Sequence, residues 1–350
     1  MPEPREAIRR MAPYKPPAEG REGKLRLDFN ENTVGCSPRV VEFLREAVTA
    51  PALTVYPEYS ETLEELAAYF GVSRDNFLLT NGTDEAIQVL VNTFVSEDDA
   101  VLLVHPSYAM YRFYAEAAGA RVRAVNYTSE NFDFPLQGLL DAVSSETRAI
   151  LIANPNNPVG TGISPEAIRK ILERAPKAAV LIDEAYYEFS GETVLPWIGQ
   201  YSNLFVSRTF SKAFGMAAMR CGCIFSSAEN VAWMRKAQSP YSVNTLAAQA
   251  ARIAVRDTEY VNTYVAEVLA ARQMTMEGLT RLGIRFVPSR ANFVLFHAGE
   301  RAIEIRDALR SRAVLIRDRS YELAGWVRVT IGNREQIGRF LSELEAIWKR

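Results

Sequence analysis

Ala149-Ile150-Leu151-Ile152-Ala153-Asn154-Pro155-Asn156-Asn157-Pro158-Val159-Gly160 begins with five consecutive apolar residues and stops at a loop of asparagine and proline. An apolar run without polar alternation marks a strand covered on both faces, as in a parallel sheet with helices above and below it. Runs of the same kind occupy residues 179–183, 204–207 and 222–225. Upstream, residues 77–80 read as a strand, 84–95 as a helix with Ala86, Ile87, Leu90, Val91 and Phe94 on one face, 100–105 as a strand, 109–118 as a helix and 121–125 as a strand. Helical stretches at 165–174 and 228–235 supply further cover. The expected fold class is α/β: a mostly parallel sheet covered by helices on both faces.

Beyond Gln238 the pattern changes. Residues 245–282 contain no proline and read as one long helical stretch ending near Gly283. Strand-like segments at 284–287, 293–297, 313–316 and 326–331 follow, interleaved with helices near 303–310 and 335–348, which predicts a smaller α+β domain. The boundary is expected near residues 240–248, around Ser239-Pro240-Tyr241-Ser242. The domain plan is therefore an N-terminal arm and part of the small domain (1–46), a large domain (47–245) and a small C-terminal domain (246–350).

Composition excludes several classes of function. Forty basic residues against forty-two acidic ones leave a net charge of -2. No broad basic field for nucleic acid or an anionic membrane follows from that balance, so a local pocket is where chemistry is expected. Residues 1–24 are rich in proline and charge and lack the apolar core of a secretory signal. No later apolar run approaches membrane-spanning length. The three cysteines are an odd number, and Cys221 and Cys223 lack the further Cys/His partners of a zinc site, so they read as small strand residues. No metal is expected, and a cytoplasmic location is.

Three segments carry the chemistry. Ser207-Arg208-Thr209-Phe210-Ser211-Lys212-Ala213-Phe214-Gly215 places a lysine after a pair of hydroxyl residues, with Arg220 eight positions beyond it. The Asn154–Gly160 loop follows one strand, and Asp183-Glu184-Ala185-Tyr186-Tyr187 closes another. All three fall at the C-terminal ends of strands, where open parallel sheets bind ligands. Gly82-Thr83-Asp84 follows a strand and opens a helix, a turn that by itself reads equally as a plain N-cap or as a cradle whose free N–H groups and helix dipole suit an anion.

With these spacings the chain resembles the fold-type-I aminotransferases, and within them the histidinol-phosphate aminotransferase family. The resemblance runs from Ala12-Pro13-Tyr14 to Arg328-Val329-Thr330-Ile331-Gly332. It implies pyridoxal 5'-phosphate as cofactor, held as a Schiff base by Lys212, which also shuttles the substrate proton. It implies that Asp183 pairs with the pyridine nitrogen, that Tyr186 and Asn157 bond the ring's phenolic oxygen, and that Tyr108 stacks on the ring. Gly82, Thr83, Asp84, Thr209, Ser211 and Arg220 fall to the phosphate, joined by Tyr56 of a neighbouring subunit, so that a homodimer is implied. For substrate the resemblance points to Arg328 on the α-carboxylate, and to Arg317 and Tyr14 at the far anionic group. The chain departs from the family at Asn30-Glu31-Asn32-Thr33, where a proline usually follows the second asparagine, and at Tyr59. The expected partners are a small-molecule amino donor and a keto acceptor, histidinol phosphate with 2-oxoglutarate first. The alternatives are an aromatic amino-acid aminotransferase and a decarboxylase of a phosphorylated amino acid such as threonine phosphate.

Overall fold

The structure, a computed structural model, describes residues 2–13 and 19–349. Its main sheet has seven strands: β1 (Phe77–Thr80), β2 (Ala100–His105), β3 (Arg121–Asn126), β4 (Thr147–Ala153), β5 (Ala179–Asp183), β6 (Leu204–Thr209) and β7 (Gly222–Phe225). They lie in the spatial order β1-β7-β6-β5-β4-β2-β3. β3, β2, β4, β5 and β6 run parallel, and β7 is antiparallel to both β6 and β1.

The continuous apolar runs are explained by the two faces. Ile150, Ile152, Val180, Ile182, Leu204 and Val206 enter one buried cluster, while Leu151, Leu181 and Phe205 enter another on the opposite side. Alternate residues of a strand point to opposite faces, so a strand buried on both has no polar positions to spare. The helix Gly82–Phe94 covers one face with Ala86, Ile87, Leu90 and Val91, and Pro165–Arg174 covers the other with Ile168, Ile171 and Leu172. Each such aliphatic side chain contributes about 1.5–3 kcal/mol on burial. A charge at Ile150 would break both the sheet and its cover.

A second, antiparallel sheet has four strands: β8 (Phe286–Val287), β9 (Phe293–His297), β10 (Arg317–Asp318) and β11 (Trp326–Thr330), in the order β10-β11-β9-β8. The N-terminal segment is tied to this sheet. Leu25–Arg26 pairs in parallel with Val314–Leu315, and the Leu27 carbonyl accepts the Thr330 N–H at 2.9 Å.

The helical stretch expected across residues 245–282 is two helices, Thr245–Arg256 and Thr258–Arg281. Between them Asp257 leaves helical geometry, at φ -102 and ψ 53. Its carboxylate accepts the Ser37 hydroxyl and lies 3.8 Å from Arg39, at the start of the helix Pro38–Ala47. A contact from more than two hundred residues away thus overrides local helix propensity. The strands expected at 284–287 and 313–316 shorten to Phe286–Val287 and Val314–Leu315. Among the described residues no helix is long and apolar enough to cross a membrane.

Candidate active site

The C-terminal ends of the parallel strands open on one cavity of about 460 Å³. β5 delivers Asp183 and then Tyr186, β6 delivers Thr209, Ser211 and Lys212, and the loop after β4 delivers Asn157. The helix after β1 adds Thr83 and Asp84, the turn after β2 adds Tyr108, and Arg220 precedes β7. Arg317 and Arg328 enter from the small sheet, and Phe29, Asn30 and Glu31 from the N-terminal segment. Twelve of the residues singled out in the sequence therefore line one space.

Lys212 reaches into this space, where Nζ donates to the Phe29 carbonyl at 3.3 Å. Burial, with the nearby guanidinium groups of Arg328 and Arg220, pushes its amine down to about 8, because each disfavours the charged form. A useful fraction of neutral amine is thus present near neutral pH.

Asp183 is buried, and both carboxylate oxygens accept hydrogen bonds. Ser207 Oγ donates to Oδ1 at 2.8 Å and the Tyr111 hydroxyl donates to Oδ2 at 2.7 Å. Burial raises its pKa, opposed by Tyr111, Ser207 and the Ala185 N–H. The Tyr186 hydroxyl accepts from Asn30 Nδ2 at 2.9 Å, and burial raises its pKa as well.

On the large-sheet side, Gly82 begins the helix Gly82–Phe94 at φ +72. A Cβ there would stand 2.5 Å from Arg220 Nη2, so only glycine lets the guanidinium lie against the helix start. Arg220 itself adopts left-handed backbone, φ 53, and its Nη2 meets Asp84 Oδ2 at 3.1 Å. The Tyr108 hydroxyl donates to Asp84 Oδ1 at 2.8 Å. Thr83, Thr209, Ser211 and Arg220 line the same cavity as this helix start, a set of donors that could hold an anion.

The wall contributed by the small sheet is cationic. Arg328 Nη1 donates to Asn157 Oδ1, and Nη2 donates to the Asp28 carbonyl at 2.9 Å. Burial, then the Arg319 charge, lowers its pKa to about 10, so it stays charged at neutral pH. Arg328 Nε, Arg317 Nη1 and Arg319 Nε are buried and have no hydrogen-bond partner among the described residues.

Gly82 sits behind the cavity lining, against Arg220. Tyr56 lies outside the cavity, 75% exposed and stacked on Tyr241 at 4.6 Å. Tyr14 lies outside the described residues. Cys221 and Cys223 are buried, and burial pushes both thiols up, Cys221 to about 12. Among the described residues no group of three His, Cys, Asp or Glu stands close enough to hold a metal ion.

Sequence reading missed Tyr111, Arg319 and Tyr321. Tyr111 is three residues past Tyr108, one helical turn on, which puts the two on one face. Arg319 is two residues past Arg317, the spacing that returns an extended chain to the same side.

Strand ends that gather a buried lysine, a buried acid and an anion cradle define the large sheet as a fold-type-I aminotransferase scaffold. The aminotransferase class I and II family matches residues 22–344. A histidinol-phosphate aminotransferase of Symbiobacterium thermophilum is 38% identical, covering 98% of each chain, and one of Halalkalibacterium halodurans is 33% identical, covering 93% of this chain and 92% of that one. The solved structure of histidinol-phosphate aminotransferase from Sinorhizobium meliloti in complex with pyridoxal-5'-phosphate has a TM-score of 0.87 at 25% identity, covering 98% of this chain and 97% of that one. The chain belongs to the histidinol-phosphate aminotransferase family of the class I and II aminotransferases.

Proposed function

We propose that this aminotransferase takes pyridoxal phosphate as cofactor and transfers the amino group of histidinol phosphate to 2-oxoglutarate, giving imidazole-acetol phosphate and glutamate. The observation that carries the reading is one cavity that holds a neutralisable lysine, a buried acid and guanidinium groups with buried, unpartnered nitrogens. The residues fit the cofactor. The backbone N–H groups of Thr83 and Asp84, with Thr209, Ser211 and Arg220, offer the donors for its phosphate, and Gly82 lets Arg220 lie against that helix start; Tyr108 offers its stacking ring, Asn157 and Tyr186 partners for its phenolic oxygen, and Asp183 a partner for its ring nitrogen. Bound there, the cofactor supplies an aldehyde that condenses with amines and a ring that absorbs the electron pair left at the substrate carbon.

Lys212 Nζ, largely neutral above pH 8, takes the proton from the substrate carbon and later returns it. Arg328 offers a planar pair of donors that fits a carboxylate, such as that of glutamate, and orients the amino acid. Arg317 takes the more distant anion: the phosphate in one half-reaction and the second carboxylate in the other. Arg319 stands beside them, its own charge paired with Glu322.

A homodimer is part of the proposal. Leu53, Val55, Tyr56 and Tyr241 are all more than half exposed, and an apolar surface of this kind suits a second copy that would bring Tyr56 to the neighbouring phosphate. We place the enzyme in the cytoplasm, with residues 47–245 as the cofactor domain and 246–350, joined by part of 1–46, as the small domain. The relatives carry the name histidinol-phosphate aminotransferase, which favours neither the aromatic aminotransferase nor the threonine-phosphate decarboxylase reading. The test is a single-turnover screen of the holoenzyme with histidinol phosphate, phenylalanine, tyrosine and threonine phosphate. Fastest conversion by histidinol phosphate is expected. Conversion by phenylalanine alone, or carbon dioxide release from threonine phosphate, overturns the substrate.

A further inference from the structure

Asp183 and its neighbour Glu184 are both buried, yet their charges are handled differently. Glu184 does not line the cavity and forms an ion pair with Arg208 at 2.7 Å. Asp183 faces the cavity, and no Lys, Arg or His among the described residues forms an ion pair with it. Its carboxylate is instead held from two sides by hydroxyl groups. Ser207 comes from β6, directly in register with Asp183, and donates to Oδ1 at 2.8 Å. Tyr111 comes from the helix Ala109–Ala118 and donates to Oδ2 at 2.7 Å.

Tyr111 is fully buried and packs edge-on against Tyr108, with ring centroids 5.6 Å apart. A tyrosine hydroxyl in such a place needs an acceptor, but any backbone carbonyl would satisfy it. Here it spends its bond on the one buried cavity carboxylate that lacks a cation. Two donors fix the carboxylate plane and favour its ionised form, and a carboxylate fixed in this way accepts a proton or pairs with a cation only from the cavity side. The turn that presents Tyr108 to the cavity therefore also presents Tyr111 to the acid beneath it.

We propose that Tyr111, assisted by Ser207, is a positioning residue: it orients Asp183 and keeps it ionised toward the ring nitrogen of the cofactor. The inference rests on the reading that Asp183 meets that nitrogen. It makes no claim on the substrate.

The test compares dissociation constants of pyridoxal phosphate and of its analogue with CH in place of the ring nitrogen. These are measured on resolved and reconstituted full-length protein: wild type, Tyr111→Phe, Ser207→Ala and Asp183→Asn. Wild type is expected to prefer the nitrogen-bearing cofactor. Tyr111→Phe keeps the ring and its packing, and should shrink that preference on the order of 10-fold, the effect of losing one hydrogen bond to a charged group, while affinity for the carbon analogue changes little. A merely structural tyrosine would weaken both ligands equally and leave the preference intact, and that result overturns the proposal. Should Tyr111→Phe not fold, Ser207→Ala carries the same comparison. Asp183→Asn should abolish the preference. If Asp183→Asn retains it, the pairing of Asp183 with the ring nitrogen fails, a failure distinct from an unchanged preference in Tyr111→Phe alone.

Discussion

The two ends of the cavity differ in how their charges are settled. On the large-sheet side the ionisable groups already have hydrogen-bond partners within the protein: Arg220 meets Asp84, Asp84 also accepts from Tyr108, Asp183 accepts from Tyr111 and Ser207, and Lys212 donates to the Phe29 carbonyl. On the small-sheet side Arg317, Arg319 and Arg328 each leave a buried guanidinium nitrogen without an acceptor among the described residues, although Arg319 also forms an ion pair with Glu322. Burying an unmatched donor costs stability, so such donors persist where a ligand completes them. A cofactor that stays suits the first arrangement. Substrates that come and go, each bringing its own anions, suit the second.

The contrast is broken most severely by removing its reactive centre. Lys212→Ala should abolish the visible absorbance of covalently held cofactor and lower turnover roughly 10⁴-fold or more, since both covalent and proton-transfer roles vanish; stopped-flow absorbance checks it. Arg328→Gln should cost less, on the order of 10²- to 10³-fold in kcat/KM for glutamate, with near-normal cofactor affinity. The same change also tests electrostatics across the cavity. The Arg328 charge is the largest charge contribution lowering the Lys212 pKa, after burial. In the wild type, the rate of cofactor capture by ligand-free protein should rise with pH and level off above about 8, as the neutral amine accumulates. In Arg328→Gln the amine holds its proton more tightly, so the same profile should move to higher pH.

What could be read from the sequence follows from how local each signal is. Asp183 closes an apolar run, and Asn157 and Lys212 lie in the loops that directly follow theirs, so strand ends could be located and the residues near them singled out. Parallel neighbours then bring those ends together without any knowledge of side-chain contacts. The antiparallel direction of β7 left no mark, because a strand buried on both faces has the same composition whichever way it runs. The break at Asp257 was invisible for another reason: its partners, Ser37 and Arg39, are distant in sequence. Tyr111 failed similarly, since an aromatic residue on an amphipathic helix reads as core, and it is core. Its role comes only from Asp183, seventy-two residues on.

A smaller effect sharpens the comparison within the cationic wall. Arg317→Gln should raise KM for histidinol phosphate roughly 10- to 100-fold, the scale of one lost charge-assisted contact, with much less change in kcat, as expected when uniform binding is removed.

The smallest prediction concerns the protein without ligands, and it separates the two ends by sign. Arg317 is buried with Nη1 unpartnered, and Arg328 stands nearby as a like charge, as does Arg319, whose own charge is partly offset by Glu322. Replacing it with the neutral, shorter glutamine removes that repulsion, so Arg317→Gln should stabilise the ligand-free protein by about 1 kcal/mol. Asp84→Asn, at the other end, breaks a matched and partly exposed contact with Arg220 and should destabilise by about 0.5–1 kcal/mol. Denaturant titration of the two variants reads both signs. Added inorganic phosphate should stabilise wild type by mass action on the unmatched wall and stabilise Arg317→Gln less. If both substitutions destabilise equally, the guanidinium groups are already satisfied by the protein, and the distinction between a settled end and a waiting end is lost.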